Sequence, residues 1–85
     1  MIVKGKRKPK DMVNSEQLTK LGNRIRNLRL KAGYQSQEIF AYESNIPRAQ
    51  YARYEKGTNI TYVSLLKIIS VHKLSVHEFF SEGFD

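Results

Sequence analysis

Residues 48–56 combine long cationic side chains with alanines on one face of a predicted helix. Wound at about 100° per residue, Arg48, Ala49, Ala52, Arg53 and Lys56 fall within an arc of about 140°. Arginine can donate two hydrogen bonds at once to a pair of acceptors, such as O6 and N7 of guanine. The alanines let a helix backbone come close to a surface, as entry into a DNA major groove about 12 Å wide requires. This face therefore predicts an element that reads double-stranded DNA.

Base and phosphate contacts are divided among these side chains. Arg48 and Arg53 are the predicted base readers, with phosphate contact as the alternative, because phosphates take half or more of protein–DNA hydrogen bonds. Gln37, in the first turn of a preceding helix, is expected to meet a phosphate together with the free N–H groups of that helix. Lys56 is expected to reach the DNA backbone. The predicted DNA-binding residues are Gln37, Arg48, Ala49, Gln50, Ala52, Arg53 and Lys56.

Capping residues and apolar spacing predict the helices that position this face. Asn14 with Gln17 forms a capping-box pattern, and Gly33 is a stop signal at the end of the apolar stripe that follows. Pro47 fits the first turn of a helix that Gly57 ends. The predicted helices span about 15–32, 36–43, 47–56, 61–72 and 75–82. Since no segment has a strand pattern, the sequence predicts an all-α domain over 14–85, with the second and third helices arranged as a helix-turn-helix.

Composition limits the classes of function that remain. The chain has 85 residues, which is one small domain with a limited core. It contains no cysteine, so a disulfide framework, a cysteine-ligated zinc site and a thiol nucleophile are excluded. The two histidines, His72 and His77, are separated by a predicted helix break and have no partners at ligand spacing. We therefore expect no catalytic residue, no metal, no cofactor and no small-molecule ligand.

The charge is unevenly distributed. Residues 1–57 carry thirteen basic and five acidic side chains, a net +8, whereas residues 58–85 carry two and three, a net −1. Polyanions are natural partners of such a chain. Residues 1–13 are predicted to be a flexible basic arm, and a contact with DNA and a solvated tail without a role are equally open. With no apolar run of about 18 residues and no signal-peptide pattern, we expect a soluble cytoplasmic protein, associated with DNA and not with a membrane.

Three short runs resemble a known family. They are Ser36-Gln37-Glu38-Ile39-Phe40-Ala41, Ser44-Asn45-Ile46-Pro47-Arg48 and Tyr54-Glu55-Lys56-Gly57. Their combination is similar to Cro and lambda-repressor type helix-turn-helix regulators, also called the xenobiotic-response-element family, over residues 21–80. The run Ala41 to Ile46 and the segment Asn59-Ile60-Thr61 also resemble the controller proteins of restriction–modification systems. The resemblance implies a compact five-helix, lambda-repressor-like transcriptional regulator that reads the major groove, usually as a homodimer on a palindromic operator.

Two further expectations combine the residues with this resemblance. Arg29 borders the apolar stripe of the first helix and needs an acidic partner, and the matching family positions assign Glu55 to it. Tyr51 and Tyr54 stand where aliphatic residues are typical of the family. Because a buried hydroxyl needs a hydrogen-bond partner, these tyrosines are expected to be half exposed and close to a phosphate.

The last third of the chain is predicted to form a homodimer interface. Apolar side chains spread around more than half of the fourth helix, which is wider than one core requires. The predicted interface residues are Tyr62, Leu66, Ile69, Phe79, Phe80 and Phe84. The alternative is an antitoxin-like or other module that binds a protein partner, with DNA-binding autoregulation as a secondary role. Neutralising a toxin usually requires an additional segment.

Overall fold

The computed structural model describes the backbone of residues 10–85 and the side chains of residues 15–85. This part of the chain forms five helices and no strand. They are α1 (Lys10–Lys31), α2 (Gln37–Glu43), α3 (Arg48–Lys56), α4 (Tyr62–Val71) and α5 (Val76–Phe80). The all-α, five-helix prediction is therefore confirmed, and every predicted helix is present.

The start of α1 differs from the prediction. The helix begins at Lys10, so Asn14 lies inside it and is not its N-cap. Residues 10–13, which the sequence predicts to be part of the basic arm, are thus helical. Residues 1–9 of that predicted arm lie outside the described residues. The capping-box pattern at Asn14 is a local signal, and a helix can continue through such a residue when its neighbours favour helix.

Side-chain caps fix the starts of three helices. The hydroxyl of Ser36 accepts a hydrogen bond from the amide of Ile39 at 3.2 Å and begins α2. Thr61 caps α4 in the same way, through the amide of Ser64 at 3.1 Å. Ser75 and Glu78 form a reciprocal capping box that begins α5, at 3.0 and 2.8 Å. Each cap satisfies N–H groups that the first turn of a helix leaves free.

The core is one cluster of buried side chains to which all five helices contribute. Its fully buried side chains include Ile25 from α1, Tyr51 from α3, Ile68 from α4 and Phe79 from α5. Phe40 of α2 packs against Tyr51, with ring centroids 5.1 Å apart. Burying one such side chain stabilises a fold by about 1.5–3 kcal/mol, so these few residues account for much of the packing energy of a domain this small.

A glycine permits α1 and the end of α3 to touch. A Cβ atom at Gly22 would lie 2.6 Å from the carbonyl oxygen of Glu55 and 2.8 Å from the amide nitrogen of Gly57. Gly57 itself ends α3 with a φ of 90°, a left-handed conformation that glycine adopts without strain. The two backbones therefore approach to a distance that no other residue at position 22 allows.

Arg24 joins α1 to α5. Its Nε donates to the carbonyl oxygen of Phe79 at 2.7 Å, and its Nη2 donates to that of Glu78 at 3.1 Å. The guanidinium also lies 5.4 Å from the centre of the Phe79 ring. Only 7% of Arg24 is exposed, so its charge is compensated by carbonyls at the negative end of a helix and by Glu82 at 3.6 Å. This side chain fixes the direction of α5.

Candidate nucleic-acid interface

The turn between α2 and α3 sets the angle of the candidate reading helix. Asn45 adopts a φ of 61°, a left-handed conformation that asparagine tolerates better than most residues, and Ile46 follows with its side chain buried in the core. The amide of Ile46 donates to the carbonyl oxygen of Ala41 at 2.9 Å. Pro47 is the N-cap residue of α3, one position earlier than the first helical residue that the sequence predicted it to be.

The outer face of α3 presents the predicted contact residues together. Arg48, Ala49, Arg53 and Lys56 are exposed, and Ala52 is half buried between them. The opposite face is buried through Tyr51, Tyr54 and Glu55. The helix therefore separates a cationic, slim outer face from an inner face that packs on the domain.

Arg48 has a neighbour that the sequence reasoning did not assign. Its Nη1 lies 3.8 Å from Oε2 of Glu38, and both side chains are largely exposed. An exposed ion pair of this kind contributes at most about 1 kcal/mol. Arg48 can therefore leave Glu38 for another partner at little energetic cost.

Tyr51 and Tyr54 are buried, so the expectation that they are half exposed near a phosphate is wrong. The ring of Tyr51 is fully buried, and burial raises the pKa of its hydroxyl far above its ordinary value. That hydroxyl faces the Arg29–Glu55 pair and interacts with both charges, but it completes no hydrogen bond of normal geometry to a described side chain. The hydroxyl of Tyr54 accepts a hydrogen bond from Nε2 of Gln50, so the amide of Gln50 is turned toward its own helix. Core packing outweighs the polar hydroxyls here.

A buried network ties α3 to α1 and α2. Arg29 donates from Nε to Oε2 of Glu55 at 2.7 Å and from Nη2 to Oε1 at 3.2 Å, which is the ion pair predicted from the sequence. Nε2 of Gln37 donates to the same Oε1 at 2.7 Å. Arg29 also donates from Nη1 to the carbonyl oxygen of Tyr34 at 2.8 Å. Glu55 thus fixes the orientation of the Gln37 amide.

The network sets the charge state of its members. Burial alone raises the pKa of the Glu55 carboxyl, but the hydrogen bonds it accepts, chiefly from Arg29, bring that pKa below its ordinary value. The hydrogen bond to Glu55 likewise raises the pKa of Arg29. Both groups therefore stay charged inside the domain, where an unpaired charge is strongly unfavourable.

Two of the six predicted interface residues lie in the monomer core. Ile69 is 3% exposed and Phe79 is fully buried, so the prediction that they lie on the outer surface is wrong. Tyr62, Leu66 and Phe80 are exposed, and Phe84 is half buried against the core. The same surface includes an apolar side chain that the sequence reasoning did not assign, Val63, which is 76% exposed.

Two structural residues were also missed. Arg24 borders the apolar stripe of α1 on the side opposite Arg29, so the helical-wheel reasoning that singled out Arg29 indicates a buried position for Arg24 as well. Lys67 donates from Nζ to the carbonyl oxygen of Asn45 at 2.9 Å. No sequence signal identifies that second contact, because its acceptor is a backbone atom 22 residues away.

The two histidines lie in different surroundings. His72 is half buried with its ring stacked on Phe40, whereas His77 is exposed on α5. Within residues 15–85 no three histidine, cysteine or acidic side chains are grouped so as to hold a metal ion. Among the described residues, no helix has the length and apolar character needed to cross a membrane.

A solved structure resembles this arrangement of helices. It is the high-resolution crystal structure of the restriction-modification controller protein C.AhdI from Aeromonas hydrophila. The TM-score is 0.67 and the sequence identity is 33%, over 76% of this chain and 98% of that chain. The chain belongs to the restriction-modification controller proteins.

This controller protein is a DNA-binding transcription regulator of the helix-turn-helix type. The structure that it resembles is that of a controller and not of an enzyme. No protein-family model matches the chain, and a search of curated proteins found no match.

Proposed function

We propose that this controller protein binds a two-fold symmetric DNA site as a homodimer, with α3 of each copy in a major groove. The observation that supports the proposal most directly is the exposed outer face of α3. It presents two arginines and a lysine around two alanines, while the inner face is fixed by buried side chains. A rigid helix with long donors at its edges and small residues at its centre fits a groove about 12 Å wide.

Arg53 is the proposed base reader, and Arg48 joins it once it leaves Glu38. Arg53 is exposed at one edge of the outer face. Lys56, at the end of the helix, is placed for phosphate. Gln37 reaches a phosphate from the first turn of α2, with its amide oriented by Glu55. Gln50 contributes less than the sequence predicted, because its amide already bonds to Tyr54.

A second copy of the chain is the proposed occupant of the α4 and α5 surface. Apolar area is exposed on this small domain by Tyr62, Val63, Leu66 and Phe80. The ring of Phe80 contacts that of Phe84 at a tilt, with ring centroids 4.9 Å apart. Residues 58–85 carry a net −1 whereas the rest of the chain carries +8, so contact through this surface keeps two cationic DNA-binding faces apart. Such a dimer would set its reading helices about 34 Å apart, on successive major grooves.

The DNA-binding part of the proposal is tested by selecting duplexes from a random pool and titrating one selected duplex and one random duplex. A dimer that neutralises six to ten phosphates should lose about 10³–10⁵ in affinity between 50 and 200 mM salt. Arg53→Ala should cost roughly 1–3 kcal/mol on the selected duplex and relax the preference at one base pair. Lys56→Ala should weaken binding to the selected and the random duplex alike. Equal losses for the two variants on both duplexes would refute base reading by Arg53.

The dimer part is tested with two glutamate substitutions on α4. Leu66 and Val71 are each 36% exposed, but they lie about 140° apart around the helix. Leu66→Glu should give a monomer in light scattering at tens of micromolar and abolish cooperative binding to the selected duplex. Val71→Glu, outside the proposed surface, should leave both unchanged. A monomeric wild-type protein that protects a single asymmetric half-site would refute the dimer.

A further inference from the structure

Lys67 connects α4 to the turn of the helix-turn-helix. Its Nζ donates to the carbonyl oxygen of Asn45 at 2.9 Å, across 22 residues of sequence. Asn45 holds the left-handed conformation that turns the chain from α2 toward α3. The acceptor is thus the backbone of the residue that determines where α3 begins, two positions before the helix-capping Pro47.

The start of α3 needs such support more than its middle does. Pro47 makes no side-chain hydrogen bond to the first turn of α3. The middle and end of the helix are held on the inner face by Tyr51, Tyr54 and Glu55. The bond from Lys67 therefore acts at the less constrained end, next to Arg48 and Ala49.

Lys67 also lies at the edge of the proposed dimer surface. On α4 it is about 40° from Val63 and about 100° from Leu66, whereas Ile68 points into the core. Val63 is 76% exposed and Leu66 is 36% exposed, and a second copy would cover them. Excluding water near the lysine stem would strengthen its bond to Asn45, because a hydrogen bond is stronger at lower dielectric.

We propose that Lys67 is a positioning residue that couples the dimer surface on α4 to the start of the DNA-reading helix. The inference rests on the proposed function, since it requires both DNA reading by α3 and a second copy on α4. Lys67 touches neither DNA nor the partner's reading helix in this scheme. It acts through the backbone of Asn45.

The experiment compares Lys67→Met, which removes the donor, with Lys67→Arg, which retains one. Lys31→Met is the matched control, because Lys31 is an exposed lysine that lines a groove with Glu82 and Gly83 on the α5 side. All variants are titrated with the selected duplex and the random duplex. Amide hydrogen exchange is followed at Ile46 and Tyr51, whose N–H groups donate to Ala41 and Pro47.

Lys67→Met should bind the selected duplex about three- to tenfold more weakly than Lys31→Met does, the range expected for one hydrogen bond. The two variants should match on the random duplex, since each loses one charge. Exchange at Ile46 and Tyr51 should quicken in Lys67→Met alone, and Lys67→Arg should restore both properties. In the wild-type protein, protection of these two amides should rise with protein concentration, and in Lys67→Met it should not.

The negative outcomes can be told apart. Unchanged exchange at Ile46 and Tyr51 in Lys67→Met would overturn the inference whether or not the protein binds DNA. Faster exchange with unchanged preference for the selected duplex would overturn it as well, because Lys67 would then support only the fold. A wild-type protein that selects no duplex, or that stays monomeric, would instead overturn the proposed function and with it the coupling.

Discussion

Glu55→Gln should remove a large share of the stability of the domain. The side chains of Glu55 and Arg29 are 3% and 5% exposed, so the change leaves the Arg29 charge buried with only neutral acceptors, the new amide oxygen and the Tyr34 carbonyl. Loss of one partner from a buried pair costs about 3–5 kcal/mol. A domain of 85 residues is stable by roughly 4–13 kcal/mol. The variant should therefore be close to unfolding at room temperature.

The assay is urea and thermal unfolding followed by circular dichroism. A loss of 3–5 kcal/mol should lower the Tm of a domain this small by at least about 12 °C. Glu38→Gln is the matched control, because Glu38 forms an exposed ion pair with Arg48 and should cost at most about 1 kcal/mol. Adding Arg29→Met to Glu55→Gln should recover part of the loss, since both charges are then absent. Equal, small effects of the two glutamine variants would refute the buried network.

The same network predicts the response to acid. The pKa of Glu55 is lower in the folded state than in the unfolded state, so its contribution is fully present above the ordinary glutamate pKa of about 4.3. It is lost as pH falls through the folded value. The free energy of unfolding of the wild-type protein should thus decline in acid more steeply than that of Glu55→Gln, and parallel pH curves would contradict this assignment.

Four further substitutions test other parts of the structure. Arg24→Met should lower the free energy of unfolding by about 2–3 kcal/mol and quicken amide exchange in α5, because two carbonyls lose a charged donor. Amide protection in α5 equal to that of the wild-type protein would contradict this. His72→Phe should stabilise by roughly 1 kcal/mol, since Nε2 is buried without a partner among the described side chains. Burial also lowers the pKa of His72, so the gain should grow as pH falls below the ordinary value of about 6.5, and a constant difference would exclude that cause. Tyr51→Phe should leave the free energy of unfolding unchanged or raise it, and should reduce the loss of stability above about pH 10. Tyr54→Phe should lower the free energy of unfolding by about 1 kcal/mol, because it removes the acceptor of Gln50. Urea titrations of the two variants distinguish these effects.

Local signals in the sequence predicted most of the fold. Ser36 and Ser75 mark helix starts because their hydroxyls bond to amides three residues away, a relation that needs no tertiary structure. The predicted start of α1 is wrong because such signals are local: Asn14 has a capping pattern but lies inside a longer helix. The Arg29–Glu55 pair was predictable because its two positions are recognisable in the family pattern.

Which surface an apolar helix buries could not be derived from residue type. The α4 helix is apolar around most of its circumference, and only packing decided that Ile69 faces the core while Val63 faces outward. Contacts to distant backbone atoms were likewise invisible. Arg24 bonds to a carbonyl 55 residues away, and periodicity alone indicates its burial without naming its acceptor.

The two faces of α3 have separate roles, so the residues of its outer face can be replaced without changing where the helix lies. Its inner face, together with the close approach to Gly22, fixes where the helix lies. Ala49, Arg53 and Lys56 make no hydrogen bond to the domain through their side chains among the contacts described, so their identities do not determine that placement. A library that varies only these outer positions should therefore yield proteins with the same backbone and altered sequence preference. The fold can serve as a constant scaffold on which substitutions in the outer face of α3 change the DNA sequence preference.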